Sequence, residues 1–195
     1  MARILIQFAH PALEKSRVNR RLIAAVESLD FVTVNDLYEQ YPDFDINVQR
    51  EQELLLAHEV VVLHHPFYWY SSPAMIKQWE DLVLEHGWAY GRTGNALAGK
   101  RMLNAITTGG RQDAYQETGA NRFTIQQLLA PFEQTARLCQ MQYLPPFVVH
   151  GSLRITDAEI DAAAIRYREL LTLLSMGQTT DYASLQAPFL NDLAN

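Results

Sequence analysis

Along the chain, short apolar runs alternate with longer stretches whose apolar residues recur every three or four positions. Ile4 to Phe8 is a short apolar run, and Pro11 soon afterwards would end a strand there. Val18, Leu22, Val26 and Leu29 then fall on one helical face. Phe31 to Val34 reads as a second strand, and after the turn-rich Tyr41-Pro42-Asp43-Phe44-Asp45 a short helix is predicted over Glu51 to Ala57. Val60 to Leu63 is apolar throughout, the pattern of a strand covered on both faces. Ser72-Pro73 predicts a helix start with Ser72 as N-cap and Pro73 at the first position. Its buried stripe is Ile76, Trp79, Leu82 and Val83, and Gly87 is its expected stop. Lys100 to Thr107 is predicted as a fourth strand. Ile125, Leu128, Leu129, Phe132 and Ala136 form a further stripe, which Pro131 must kink or end. Tyr143 to Val149 is a fifth strand interrupted by Pro145 and Pro146. Thr156-Asp157-Ala158-Glu159 is a capping box, opening a last helix that buries Ile160, Ala164, Tyr167 and Leu171.

Five strands alternating with helices place the chain in the α/β class, as a doubly wound, five-stranded parallel sheet with helices on both faces. The simplest strand order for this length is the flavodoxin-like 2-1-3-4-5. Residues 1–176 form one domain and 177–195 a tail, in which Leu185, Phe189 and Leu193 can dock on something, another subunit among the choices. The composition, 48% hydrophobic and 19% charged, excludes disorder and low-complexity architecture. A net charge of −6 gives no general attraction to nucleic acid. Cys139 is the single cysteine, so no disulfide framework exists and a reducing cytoplasm is expected; its helical setting reads as a buried, inert thiol. Apolar stretches fall far short of the ~20 residues that cross a bilayer. The first residues run straight into a strand pattern without a cleavable signal, so a cytoplasmic protein is expected.

In such a sheet, ligands bind beyond the carboxyl ends of the strands, at the switch point between strands 1 and 3. Three loops meet there. After strand 1, His10 stands ready as a hydrogen-bond donor, and Ser16 caps a helix whose free N–H groups favour an anion, with Arg17, Val18 and Asn19 behind it. After strand 3 comes an aromatic run, Phe67-Tyr68-Trp69-Tyr70. After strand 4, Thr107-Thr108-Gly109-Gly110 lets the backbone approach a flat ligand. A phosphate end, an aromatic wall and an exposed backbone edge together suit flavin mononucleotide. Singly, each has a plainer reading: a helix cap, core or interface packing, a turn. His64 and His65 look like a metal pair, but neighbours on a strand face opposite ways, so no metal site is expected. Neither a dinucleotide fingerprint, a Walker loop nor a nucleophile elbow is present.

At these residues the chain resembles the flavodoxin-fold NAD(P)H:quinone oxidoreductases, the DT-diaphorase-like family. The resemblance is nearest to the bacterial branch that serves as ancillary proteins of glutathione-regulated potassium efflux systems. It spans about residues 3 to 175 and rests on Ala9-His10-Pro11, Ser16 to Asn19, Leu37 to Phe44, His65 to Tyr70, His86 to Gly91 and Ile106 to Gly110. The resemblance implies a homodimer with a flavin in each of two interface sites. FMN is favoured over FAD, because no extra loop is seen to hold an adenine. His10 and Ser16 to Asn19 would then hold the phosphate and ribityl chain, Phe67 to Tyr70 the ring, and Thr107 to Gly110 its pyrimidine edge. Tyr115 and Gly119 match the family's Tyr-x-x-x-Gly pattern; two residues on, Asn121 stands where DT-diaphorase-like members carry a His. The expected activity is two-electron, ping-pong hydride transfer from NAD(P)H to a quinone. Tyr115 would act as donor beside the substrate, and the Gly109 and Gly110 N–H groups would stabilise charge on the reduced ring. Asn121 and the nearness to the ancillary branch keep open a rival reading, a regulatory subunit docking on a potassium–proton antiporter, peripheral at the inner membrane through that partner. A flavodoxin-like one-electron carrier is disfavoured, since it needs no substrate-sized cleft.

Overall fold

A computed structural model of the chain describes residues 1–177 and 188–191. Five parallel strand positions form one sheet: β1 (Ile4–Phe8), β2 (Val32–Asp36), β3 (Val60–Pro66), β4 (Arg101–Thr107), and an edge made of two pieces, β5 (Gln142–Tyr143) and β6 (Phe147–Val149). The order is β2-β1-β3-β4, with β5 and then β6 both pairing β4. The predicted flavodoxin-like topology therefore holds. The Leu144-Pro145-Pro146 segment separates β5 from β6, as prolines without an N–H must.

Alternation along each strand builds two cores. Leu5, Val61, Leu63, Met102 and Ile106 face one side, where α3 (Val48–Leu56), α4 (Ala74–Val83), α5 (Ile125–Leu128) and α6 (Ala130–Leu138) cover them with Leu55, Ile76, Trp79, Ile125 and Phe132. Ile4, Ile6, Phe8, Val60, Val62 and Leu103 face the other, under α1 (Arg17–Val26) and α7 (Asp157–Ser175). Thr156 and Glu159 form the capping box expected at the start of α7. The break at Leu129, with Pro131 second in α6, is the interruption expected from that proline.

Several local expectations are corrected. Leu29 lies beyond α1, which ends at Val26; it reaches the core from the following turn. Pro73, not Ser72, is the N-cap of α4, because the chain arrives there with extended backbone (ψ 152°). Leu82 is partly exposed; the sheet-facing stripe of α4 is Met75, Ile76, Trp79 and Val83. Gly87 does not stop that helix, which ends at Val83, but sits in the next turn, donating to the Tyr90 carbonyl. The single turn α2 (Leu37–Gln40), capped by Asp36, is too short to announce itself by periodicity. In the tail, Leu185 and Leu193 lie outside the described residues. Leu190 is buried against this chain's own core, and Asn191 pairs through its side-chain amide with both Val148 N–H and C=O. These tail residues dock on the sheet edge of their own chain and cover its open hydrogen-bonding groups.

Candidate active site

A cavity of about 450 Å³ opens at the carboxyl ends of β1, β3 and β4. Its walls include His10, Ser16, Arg17, Val18, Asn19, Phe67, Tyr68, Thr107 and Gly109, the residues that three separate loops were expected to bring together. Lys15, Ser152 and Leu153 join them, without having been expected. The loop carrying Ser152 and Leu153 follows β6 through Gly151, and Ser152 N–H donates to the Thr108 carbonyl. Backbone ties of this kind, with the β6–β4 pairing, bring it to the site, and they are invisible in sequence.

At the first corner, Ser16 is the N-cap of α1 and its Oγ accepts from Asn19 N–H (3.1 Å). The Arg17 and Val18 N–H groups are left without acceptors among the described residues, at the positive end of the helix dipole. The Arg17 guanidinium turns to Asp157 (2.7 Å) and the Ile155 carbonyl, and the Val18 side chain is buried in the core. Both residues therefore offer the cavity backbone donors. Asn19 is locked: its Nδ2 donates to Ser16 Oγ and Thr107 Oγ1 (3.0 Å each), and its Oδ1 meets His64 Nε2 at 3.1 Å. His64, fully buried, is neutral, its pKa pushed down to about 3 by burial. His65 points to the opposite core, against Phe132 and Asn104, so the adjacent histidines are not one site. His10 accepts from Ala12 N–H at Nδ1, and burial lowers its pKa. Its Nε2–H is thus available as a donor at the cavity wall.

The aromatic loop has an unusual backbone. Trp69 and Tyr70 both take left-handed geometry (φ 50° and 63°) in a tight turn closed by Ser71 N–H on the Tyr68 carbonyl. Residues with a Cβ resist that conformation, at about 1–3 kcal/mol each. The turn holds Trp69 outward, 93% exposed, while Phe67 and Tyr68 line the cavity. Tyr70→Gly is therefore expected to stabilise the fold by about 1 kcal/mol, seen as a higher urea midpoint. An unchanged midpoint would mean that the turn stores no strain.

On the far side, Gly109 N–H and Gly110 N–H donate to no described residue. Their turn is pinned from behind: Thr108 Oγ1 and Gly151 N–H both donate to the Gly110 carbonyl (2.8 and 2.9 Å). Thr108 is fully buried. Tyr115 lies just beyond the cavity, its ring edge-on to Phe67 (6.1 Å) and so close to Gly110 that a Cβ there would come within 3.1 Å of it. Burial raises the Tyr115 pKa, so the phenol keeps its proton. Gly119 permits this loop to close, since a Cβ would sit 2.4 Å from the Asp113 carbonyl. Asn121 stands outside the cavity, accepting from Tyr70 OH (3.3 Å). No group of three or more potential metal ligands is present among the described residues.

Free N–H groups on a helix N-terminus, an aromatic wall and an opposed pair of free glycine N–H groups fit a phosphorylated, flat, electron-accepting ligand, and FMN has that chemistry. Comparison with known proteins agrees. Residues 2–171 match a family model described as flavodoxin-like fold. An ancillary protein of the glutathione-regulated potassium-efflux system, KefG of Pectobacterium carotovorum, is 46% identical over 87% of this chain and 92% of its own length. General stress protein 14 of Treponema denticola, solved in complex with FMN, superposes with a TM-score of 0.83 at 37% identity, covering 88% of this chain and 99% of that one. An NADPH-quinone reductase from P. pentosaceus superposes with a TM-score of 0.78 at 36% identity, covering 86% and 96%.

Proposed function

The chain belongs to the flavodoxin-like fold family, and from that premise we propose that it is an FMN-dependent NAD(P)H:quinone oxidoreductase. The observation that carries the reading is the meeting of α1's free N-terminal amides, the Phe67–Tyr68 wall and Gly109, first of two glycines with free amides, around one cavity. When bound, FMN supplies the hydride chemistry between NAD(P)H and the quinone. The rest is done by the chain. The amides of Arg17 and Val18, with the Lys15 ammonium beside them, bind the phosphate. His10 Nε2–H would orient the ribityl chain, Asn19 holds Ser16 and Thr107 in place behind it, and Phe67 and Tyr68 would exclude water from one face of the ring. The free Gly109 and Gly110 N–H groups would be the donors available to stabilise negative charge on the bound ring. Tyr115, neutral and packed on Phe67, donates to the quinone oxygen that receives charge.

Trp69, Tyr70 and Leu153, exposed beside the cavity, supply the apolar surface that a second copy would cover, in keeping with a homodimer whose partner completes each site. Among the described residues no helix is long and apolar enough to cross a membrane. Initial rates with NAD(P)H and a simple quinone should give the parallel double-reciprocal lines of a ping-pong reaction; absence of quinone-dependent turnover would overturn the reading. Tyr115→Phe should lower turnover about 10- to 100-fold with flavin content unchanged; unaltered turnover would remove Tyr115 from the mechanism.

The ancillary-protein relatives favour a second role, regulation of a potassium efflux antiporter at the inner membrane. Co-purification with such a transporter, and efflux that depends on this chain even after flavin binding is destroyed, would establish it as the principal one.

A further inference from the structure

The position that the family resemblance sets beside Tyr115 is Asn121, and the Asn121 side chain accepts from Tyr70 OH. The imidazole that does face Tyr115 belongs to His150, directly after β6. The two rings are tilted at 39° with centroids 5.7 Å apart, and Phe189 from the tail closes edge-on over the other side of His150 at 5.7 Å. His150 Nδ1 is 3.1 Å from Thr108 Oγ1. Thr108 already donates its single hydroxyl proton to the Gly110 carbonyl. With that proton so used, the Nδ1–H tautomer is the one that makes the His150–Thr108 contact a hydrogen bond, and it leaves Nε2 as a bare lone pair. That Nε2 is buried and has no partner among the described residues. A buried, unpaired acceptor is costly, so a ring placed this way has a use beyond filling space. Burial holds its pKa down at about 4, which keeps this hydrogen-bonding arrangement near neutral pH.

We propose that His150, acting through the Thr108 hydroxyl, is a positioning residue for the reductase: it holds Tyr115 and the Gly109–Gly110 turn in working geometry. This inference rests on the quinone-reductase reading above. Its physical content is the chain His150 Nδ1–H to Thr108 Oγ1, and Thr108 O–H to the Gly110 carbonyl, with the Tyr115 ring packed on both the imidazole and Gly110. Loss of the Nδ1 donor frees Thr108 to rotate, which leaves the Gly110 carbonyl held by Gly151 N–H alone and loosens the turn that brings Gly109 to the cavity.

Two substitutions separate positioning from packing. H150F keeps a ring against Tyr115 and Phe189 but has no donor; H150N keeps a donor near the place of Nδ1 but has no ring. With FMN bound, H150F should lower kcat about tenfold, the effect of one lost hydrogen bond, while the quinone KM changes less than twofold. The midpoint potential of the bound flavin should move to more negative values, because the glycine amides hold the reduced form less well. H150N should recover most of both losses. In the Y115F background, H150F should cost clearly less than the tenfold it costs in the wild type, since part of its effect runs through Tyr115. The opposite pattern, H150F like wild type and H150N impaired, would overturn the proposal in favour of packing, and so would multiplicative losses in the double variant. Wild-type protein that retains no flavin would instead overturn the functional reading, and this inference with it.

Discussion

Replacing Glu51 by Ala is expected to cost about 4 kcal/mol or more, a large part of the roughly 5–15 kcal/mol that holds a domain of this size together. Glu51 is fully buried in α3, and its carboxylate accepts from Gln7 Nε2 (2.7 Å), Asn35 Nδ2 (3.0 Å), Tyr41 OH (2.7 Å), Trp79 Nε1 (2.9 Å) and Arg50 (2.6 Å). Those donors come from β1, β2, the segment after α2, α4 and α3, so one carboxylate ties two helices to the sheet. Removing it strands at least four buried donors, each worth about 1–3 kcal/mol unsatisfied. Tyr41→Phe removes a single contact and should cost only about 1–2 kcal/mol. The Tyr41 phenol, pushed up to about 12 by burial and then by the neighbouring Glu51 carboxylate, keeps its proton as a donor across the working range. Urea unfolding of both variants checks the order. A Glu51→Ala midpoint equal to wild type would mean that these hydrogen bonds contribute nothing net.

Ser16→Asp should leave the fold intact and destroy cofactor binding. Asp is as good an N-cap as Ser, so α1 keeps its first turn. The new carboxylate would, however, sit beside the amides of Arg17 and Val18, where the phosphate must bind. Two negative charges about 5 Å apart repel by about 3 kcal/mol at an effective dielectric of about 20. FMN affinity should fall roughly 100-fold or more. Ser16→Ala gives the contrasting result: about 1 kcal/mol of stability lost with the cap, and a much smaller change in affinity. Fluorescence titration of apoprotein with FMN measures both. An undiminished affinity in Ser16→Asp would place the phosphate elsewhere.

Legibility in the sequence followed how local each signal is. Ser16 could be read as a cap because it stands directly before a periodic apolar face, and His64 and His65 could be parted because strand geometry alternates sides. The convergence of Phe67, Thr107 and the start of α1 followed from strand order, which apolar strands separated by helices already imply. The Glu51 network could not be read this way. Gln7 and Asn35 are unremarked polar residues until the parallel register sets them opposite one another. The left-handed turn at Trp69-Tyr70 carries no glycine or asparagine to announce it. His150 and Ser152 reach the site only because β6 pairs with β4, three residues of pairing beyond a proline break. In each case the deciding contact joins segments distant in sequence, through groups whose local patterns are ordinary.

With FMN held in this cavity, the protein should pass hydride from NAD(P)H to a quinone. The most direct test is to load purified protein with FMN, desalt it, and follow the visible flavin band without oxygen. The band should be retained, bleach with one equivalent of NAD(P)H, and return with one equivalent of quinone. A protein that emerges colourless, or whose band is indifferent to NAD(P)H, would contradict this reading.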